Sequence, residues 1–228
     1  MTIHSKFWYL QRFGLLDSLS EPARRRLAQS TRMLEVKRGQ RIYVPGDPSD
    51  HIFLLQTGVI KIAAIGPHDR EAILAFLYPG DLFGELAIVD DSLRDHLAEA
   101  HEDALLCAIG KDTMLRLIRE SPELGYRITK LMGLRLKQLH TRLEQLLYKS
   151  AAARVAETLI GLATEDGVRD ARGILVPFRL SQRELANLVG LTRETVNLVL
   201  QGLRQERLIE IDRGRVRLLD VQKLRNVR

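Results

Sequence analysis

The chain of 228 residues has a single cysteine, Cys107. That excludes an intrachain disulfide and any iron–sulfur cluster held by the cysteines of one chain. Cys107 stands in the apolar run Ala104-Leu105-Leu106-Cys107-Ala108-Ile109, where a small buried hydrophobe is expected. Aromatic residues make up only 5%, so neither a base-stacking RNA platform nor an aromatic ligand cage is expected. No apolar stretch reaches the ~18 residues of a membrane span. The run Phe7-Trp8-Tyr9-Leu10 is too short for the core of a signal peptide, and a cytoplasmic protein is expected. A Walker loop, HExxH, GxSxG and a cysteine–histidine constellation are all missing, which points away from an enzyme and from a metal site.

Hydrophobic residues at 45% and charged residues at 28% are what a folded protein needs. The formal charge of +6 suits an anionic partner without identifying one. Its distribution says more. From position 151 to the end there are 14 Lys/Arg against 10 Asp/Glu, so this third of the chain carries +4 of the +6.

The hydrophobic period changes along the chain. A helix is expected over residues 19–32, with Ser20-Glu21-Pro22 as cap and first turn. Between Met33 and Ile109 come short β-type runs: Arg41-Ile42-Tyr43-Val44, Ile52-Phe53-Leu54-Leu55, Val59-Ile60-Lys61-Ile62-Ala63 and Ala72-Ile73-Leu74-Ala75-Phe76. Pro45-Gly46-Asp47-Pro48, Thr57-Gly58, Gly66-Pro67 and Pro79-Gly80-Asp81 separate them. Strands at this spacing without intervening helices predict an antiparallel barrel or jelly roll.

The period switches again at Lys111. Ser121-Pro122-Glu123 is a capped helix start, followed by the apolar seam Ile128, Met132, Leu136, Leu139, Leu143 and Leu146. Spacing by threes and fours buries such a stripe against a partner helix, here the same helix of a second copy, the alternative being a single amphipathic helix packed only on its own domain. A second line, Leu124, Leu131 and Leu134, is expected to cover the β domain. After Lys149-Ser150 a helix is expected over 151–163, then a polar loop over 164–173 and a strand over 174–180. The organisation expected is α+β: a β-rich domain at 1–120, a dimerisation helix at 121–149 and a C-terminal domain at 150–228.

The C-terminal domain holds the most specific signal. Ser181-Gln182-Arg183-Glu184 is a capping box, and Leu185, Ala186, Leu188 and Val189 form the buried side of the helix it opens. Gly190-Leu191 turns the chain, and Thr192 caps a second helix that buries Val196, Val199, Leu200 and Leu203. Helix, glycine turn and capped helix are a helix-turn-helix, whose second helix enters the major groove of DNA. Arg193 can bond guanine O6 and N7, and Glu194 can accept from cytosine N4. Ser181, Gln182, Thr192, Thr195 and Asn197 complete the expected DNA face. A hairpin over 208–219 follows as a wing, its Arg207, Arg213, Arg215 and Arg217 directed to phosphates.

The stretch Ser181-Gln182-Arg183-Glu184-Leu185-Ala186-Asn187-Leu188-Val189-Gly190-Leu191-Thr192-Arg193-Glu194-Thr195-Val196 resembles the helix-turn-helix of the CRP/FNR family of bacterial regulators. The N-terminal half resembles that family's cyclic-nucleotide-binding β-roll. It shows Gly39-Gln40, Tyr43-Val44-Pro45-Gly46-Asp47, Ile52-Phe53-Leu54-Leu55 with Gly58, and Pro79-Gly80-Asp81-Leu82-Phe83-Gly84-Glu85-Leu86-Ala87. The resemblance covers nearly the whole chain. It implies a homodimer joined by helices over 121–148, bound to a palindromic operator with GTGA-like half-sites and working with RNA polymerase to activate or repress transcription. At a third base-reading position, where the cyclic-AMP-binding members carry arginine, this chain has Leu198.

The same resemblance implies an effector site built from Gly84, Glu85 and Arg94, with Gly84-Glu85 alternatively serving only to shape the turn. Three departures count against cyclic AMP. Asp95 stands where a serine follows the arginine, His96-Leu97 replace further small residues, and Leu139-His140 replace the threonine–serine pair that contacts adenine. A different small molecule, another nucleotide or no effector remain open. His96, His101 and His140 lack the spacing of a haem site, and the cysteines of an oxygen-sensing cluster are missing. A β-roll that controls a partner protein is the alternative from a different class.

Overall fold

The structure is a computed structural model and describes residues 14–90, 92–176 and 178–227. The run Phe7-Trp8-Tyr9-Leu10 lies outside them. The chain divides into two compact units, one running up to Arg70 with Leu74–Leu136, the other comprising Glu71–Ile73 and Lys137–Arg228.

The first unit opens on α1 (Glu21–Ser30), which has Pro22 in its first turn as expected. Eight strands follow: β1 (Arg32–Val36), β2 (Arg41–Tyr43), β3 (His51–Thr57), β4 (Ile60–Ile65), β5 (Glu71–Leu77), β6 (Leu82–Phe83), β7 (Leu97–Ala100) and β8 (Ala104–Gly110). They form two four-stranded sheets, ordered β1-β8-β3-β6 and β2-β7-β4-β5. This is the two-sheet roll that the short, turn-punctuated runs predict.

The period of two explains why β3 over residues 52–55 and β8 over residues 104–109 run apolar rather than alternating. Phe53 and Leu55 of β3, with Leu106 and Ala108 of β8, point into the roll beside Phe83 and Ala98. Their neighbours Ile52, Leu54, Cys107 and Ile109 point the other way, into a second core roofed by helices. A strand covered on both faces needs an unbroken hydrophobic run. The β3–β4 turn needs glycine: Gly58 has φ +87°, and a Cβ there would fall 2.3 Å from the Asp103 carbonyl oxygen.

The roof comes from Leu16, from Ala23 and Leu27 of α1, and from the two helices after the sheet. These are α2 (Lys111–Glu120), which contributes Met114 and Leu117, and α3 (Pro122–Tyr148), which contributes Leu124 and Ile128. Each fully buried leucine here is worth about 1.5–3 kcal/mol of transfer free energy.

The roof re-sorts the expected seam of α3. Ile128 is 6% exposed and packs in the chain's own core, so it has little surface left for a second copy, while Met132 is partly buried against that core. Leu136, Leu139, Leu143 and Leu146 do stand 45–55% exposed. Leu134, expected over the β domain, joins them at 54%, as does Leu147 at 65%. The cause is geometric: only the first turns of a 27-residue helix lie over the sheet, so one stripe changes environment along its length.

In the second unit α4 (Ala151–Asp166) starts on Ser150, whose Oγ accepts from the Ala153 N–H at 3.2 Å. It outruns its expected end. The expected polar loop is instead a hairpin, β9 (Val168–Asp170) with β10 (Gly173–Leu175), and β10 also pairs with the wing. The expected strand over 174–180 is thus shorter, although the N–H groups of Val176 and Leu180 still donate to the carbonyls of Val216 and Gly214. The rest comprises α5 (Gln182–Val189), α6 (Arg193–Gln205), β11 (Ile209–Asp212), β12 (Arg215–Leu218) and α7 (Val221–Leu224). Its sheet runs β11-β12-β10-β9. No helix among the described residues is long and apolar enough to cross a membrane.

Candidate DNA interface and effector site

The capping box of α5 closes as its sequence predicts. The Glu184 N–H donates to Ser181 Oγ at 3.2 Å, and Glu184 Oε2 accepts from the Ser181 N–H at 2.8 Å and from its hydroxyl at 2.7 Å. Leu185, Ala186, Leu188 and Val189 are all buried. Gly190 ends the helix in the left-handed region at φ +66°, which a side chain would strain. Ser181→Ala should cost about 1 kcal/mol of stability, read as a lower urea midpoint at unchanged slope; an unchanged midpoint would show that the box contributes nothing.

Thr192 caps α6, its Oγ1 accepting from the Thr195 N–H at 3.1 Å and lying 3.0 Å from the Thr195 hydroxyl. One of the two hydroxyls donates to the other, so the pair keeps a single O–H for a further acceptor such as a phosphate oxygen. Val196, Leu200 and Leu203 are buried, which fixes the inner face of α6. Arg193 and Glu194 are exposed at its start and engage no other described side chain. Gln182 and Asn197, both expected to face DNA, hold each other: Gln182 Nε2 donates to Asn197 Oδ1 at 3.0 Å. They brace α5 against α6, and Asn197 keeps its N–H₂ and Gln182 its carbonyl for other partners.

In the wing, Arg213 and Gly214 take positive φ, 48° and 79°, and make the tight turn. Arg207, Arg213 and Arg215 are exposed. Arg217 is not. It is 8% exposed, with Nη1 2.5 Å from Asp170 Oδ2 and Nε 4.0 Å from Glu210. The expectation that it reaches phosphate is corrected by this pairing, since β12 is the strand that β9–β10 extends. The Arg172 N–H and then Arg217 hold the Asp170 carboxyl below the usual carboxylate range.

The candidate effector residues lie together in the first unit. Gly84 has φ +73° and opens a single 3₁₀ turn, Glu85–Ile88. Arg94 is 7% exposed; its Nη1 donates to the Gly84 carbonyl at 3.1 Å and its Nη2 to that of His51 at 2.5 Å. Its guanidinium carbon lies 4.4 Å over the Tyr43 ring centroid. Burial depresses the Arg94 pKa, which is the cost of holding a cation against carbonyls and a π face rather than a carboxylate. No side-chain carboxylate is hydrogen-bonded to it among the described residues, and its buried Nε has no partner there. A buried cation with a spare donor fits an anionic group. Asp95, expected to repel such a group, is exposed.

Arg135 of α3 was not singled out in the sequence. Its Nη1 lies 3.4 Å from Glu85 Oε2 and its Nη2 3.7 Å from Asp81 Oδ1, and Nη2 also donates to the Leu82 carbonyl at 2.5 Å. A charge set between Leu134 and Leu136 was the available signal. His101 is buried with its ring 5.0 Å from that of Phe76, and His140 is exposed on α3.

Burial pushes the Tyr43 hydroxyl up to about 12. The unfolded chain therefore loses this proton near its ordinary value of about 10, before the folded chain does, and stability falls between about pH 10 and 12 by about 2–3 kcal/mol. Denaturation curves across that range should flatten in Tyr43→Phe; an equally steep alkaline loss in that variant would sink the assignment.

Two family models match the chain: the cyclic nucleotide-binding domain over residues 33–121 and the Crp-like helix-turn-helix domain over residues 153–227. The cyclic AMP receptor protein of Thermus thermophilus is 32% identical, with 83% of this chain and 84% of that protein covered. The CRP-like cAMP-activated global transcriptional regulator of Mycobacterium tuberculosis is 28% identical over 94% of this chain and 96% of its own length. Among solved structures, the c-di-GMP-responsive global regulator CLP of Xanthomonas campestris superposes with a TM-score of 0.77 at 23% identity, covering 88% of this chain and 100% of that one; that likeness concerns the fold. Both halves match in order, and the chain belongs to the CRP/FNR family of DNA-binding transcription regulators.

Proposed function

We propose that the chain works as a homodimer in the cytoplasm, binds a palindromic operator and passes the signal of an anionic effector to RNA polymerase. In this reading residues 1–120 sense, the helix over 121–149 joins two copies through Leu136, Leu139, Leu143 and Leu146, and residues 150–228 read DNA. The observation that carries it is the N-terminus of α6, where Arg193 and Glu194 project unengaged beside a Thr192–Thr195 pair with one spare hydroxyl hydrogen. Arg193 takes a guanine and Glu194 a cytosine, the core of a GTGA-like half-site. Arg213 and Arg215 take phosphates, whereas Ser181 spends both its hydroxyl hydrogen and its N–H on Glu184 and serves to set the end of α5. Gly84, Glu85 and Arg94 form the effector site, with Arg94 as its anion-binding group. Leu139 and His140 supply no hydroxyl for adenine, which disfavours cyclic AMP.

The test is selection of duplexes from a random pool by the purified protein, with and without cyclic AMP. We expect an inverted repeat with half-site centres about 34–36 Å apart, recovered unchanged when the nucleotide is added. Recovery of no common sequence, with co-purification of a partner protein instead, would favour a β-roll that regulates that partner.

A further inference from the structure

Leu198 is 68% exposed, one of the most exposed large apolar side chains of the second unit. A lone surface leucine is ordinary, but the place of this one is not. With 3.6 residues per turn and Val196, Leu200 and Leu203 buried, Leu198 points directly away from the core, one turn beyond Glu194. Its neighbour Asn197 is drawn back to Gln182 by the 3.0 Å hydrogen bond. The outward stripe therefore reads Glu194, Leu198, Gln201, Gln205, and Leu198 is its one apolar member.

We propose that Leu198 is a specificity-determining residue that reads the C5-methyl group of a thymine in the major groove. The inference rests on α6 being the base-reading helix. Of the four bases only thymine offers a methyl group in that groove, and an apolar side chain is its natural contact. Leucine has neither donor nor acceptor. Set against a G·C pair it would cover O6, N7 or N4 without pairing them, and leaving a desolvated polar group unpaired is costly. Leu198 thus selects an A·T pair by contact and rejects G·C by that penalty. The thymine belongs beside the pairs taken by Arg193 and Glu194, on the side towards which α6 runs.

The test uses the full-length protein and the operator recovered by selection. Each thymine of the half-site is replaced in turn by deoxyuridine, which removes only the methyl group and keeps every hydrogen-bonding atom. At one position we expect binding to weaken about fourfold per half-site, the effect of one methyl group lost from contact. In Leu198→Ala that penalty should vanish, while helix content and melting temperature stay as in the parent. Equal uracil penalties in the parent and in Leu198→Ala, or an operator without a fixed A·T pair at that place, would overturn the inference and leave the DNA-reading role intact. Recovery of no operator at all would overturn both.

Discussion

Arg193→Ala is expected to weaken operator binding by about 1–3 kcal/mol for each half-site, so a dimer loses roughly 30-fold to 10⁴-fold. The guanidinium fork matches guanine O6 and N7 as a pair of donors, and alanine leaves those acceptors facing nothing. Among the described residues no hydrogen bond engages the Arg193 side chain, so the substitution removes a base contact without loosening α6. Phosphate contacts from the wing and from the Thr192–Thr195 pair remain. Random DNA should therefore lose far less than the operator, and preference should relax at one base pair per half-site. Fluorescence anisotropy at a single fixed salt concentration separates the effects, since salt alone shifts such affinities by orders of magnitude. Equal losses on operator and random duplex would show that Arg193 binds backbone rather than base.

Leu139→Asp combined with Leu143→Asp should yield a monomer in sedimentation at micromolar concentration. The two leucines stand 52% and 55% exposed on one stripe of α3, four residues apart. Across a symmetric helix pair each aspartate would face its own copy, so like charges would meet where water is excluded. Because both side chains are exposed in the single chain, each unit should keep its fold, changes at such sites being worth about 0.5 kcal/mol or less. DNA affinity should nonetheless drop about 10²-fold to 10⁴-fold, because each monomer holds one half-site and the intramolecular advantage of the second is gone. A dimer that persists in the double variant would place the interface elsewhere.

These expectations draw on the parts of the molecule that local chemistry specifies. Ser181 and Glu184, Gly190 and Thr192 set the ends of α5 and α6 through bonds to their own neighbours, which is why the helix-turn-helix was legible residue by residue. The β-roll was legible from its turns, and the unbroken apolar runs of β3 and β8 make sense once both faces are covered. What escaped was decided by distant residues. The hairpin β9–β10 has three residues per strand and little buried surface, so no alternation marks it; its register comes from β12 and from Arg217 pairing with Asp170. The split of the α3 stripe after Met132 depends on where the sheet beneath it ends. Nor does an arginine at 94 announce that its guanidinium will lie over Tyr43 and donate to the carbonyls of His51 and Gly84, because those partners stand 51, 43 and 10 residues earlier in the chain and only the fold brings them together.

Cys107 is wholly enclosed in the core roofed by the helices, and it is the chain's one thiol. Its β8 lies between β1 and β3, so no edge of the sheet can peel away to reach it. A water-soluble alkylating reagent therefore meets sulfur only when the roof lifts or the whole unit opens. The chain carries its own clock. When reclosing outruns alkylation, the extent of labelling over time reports the free energy of that opening, and when alkylation wins it reports the opening rate. A ligand that binds the roll only when it is closed would slow the clock by a factor of 1 + [L]/Kd, so effectors could be ranked without DNA, by mass alone.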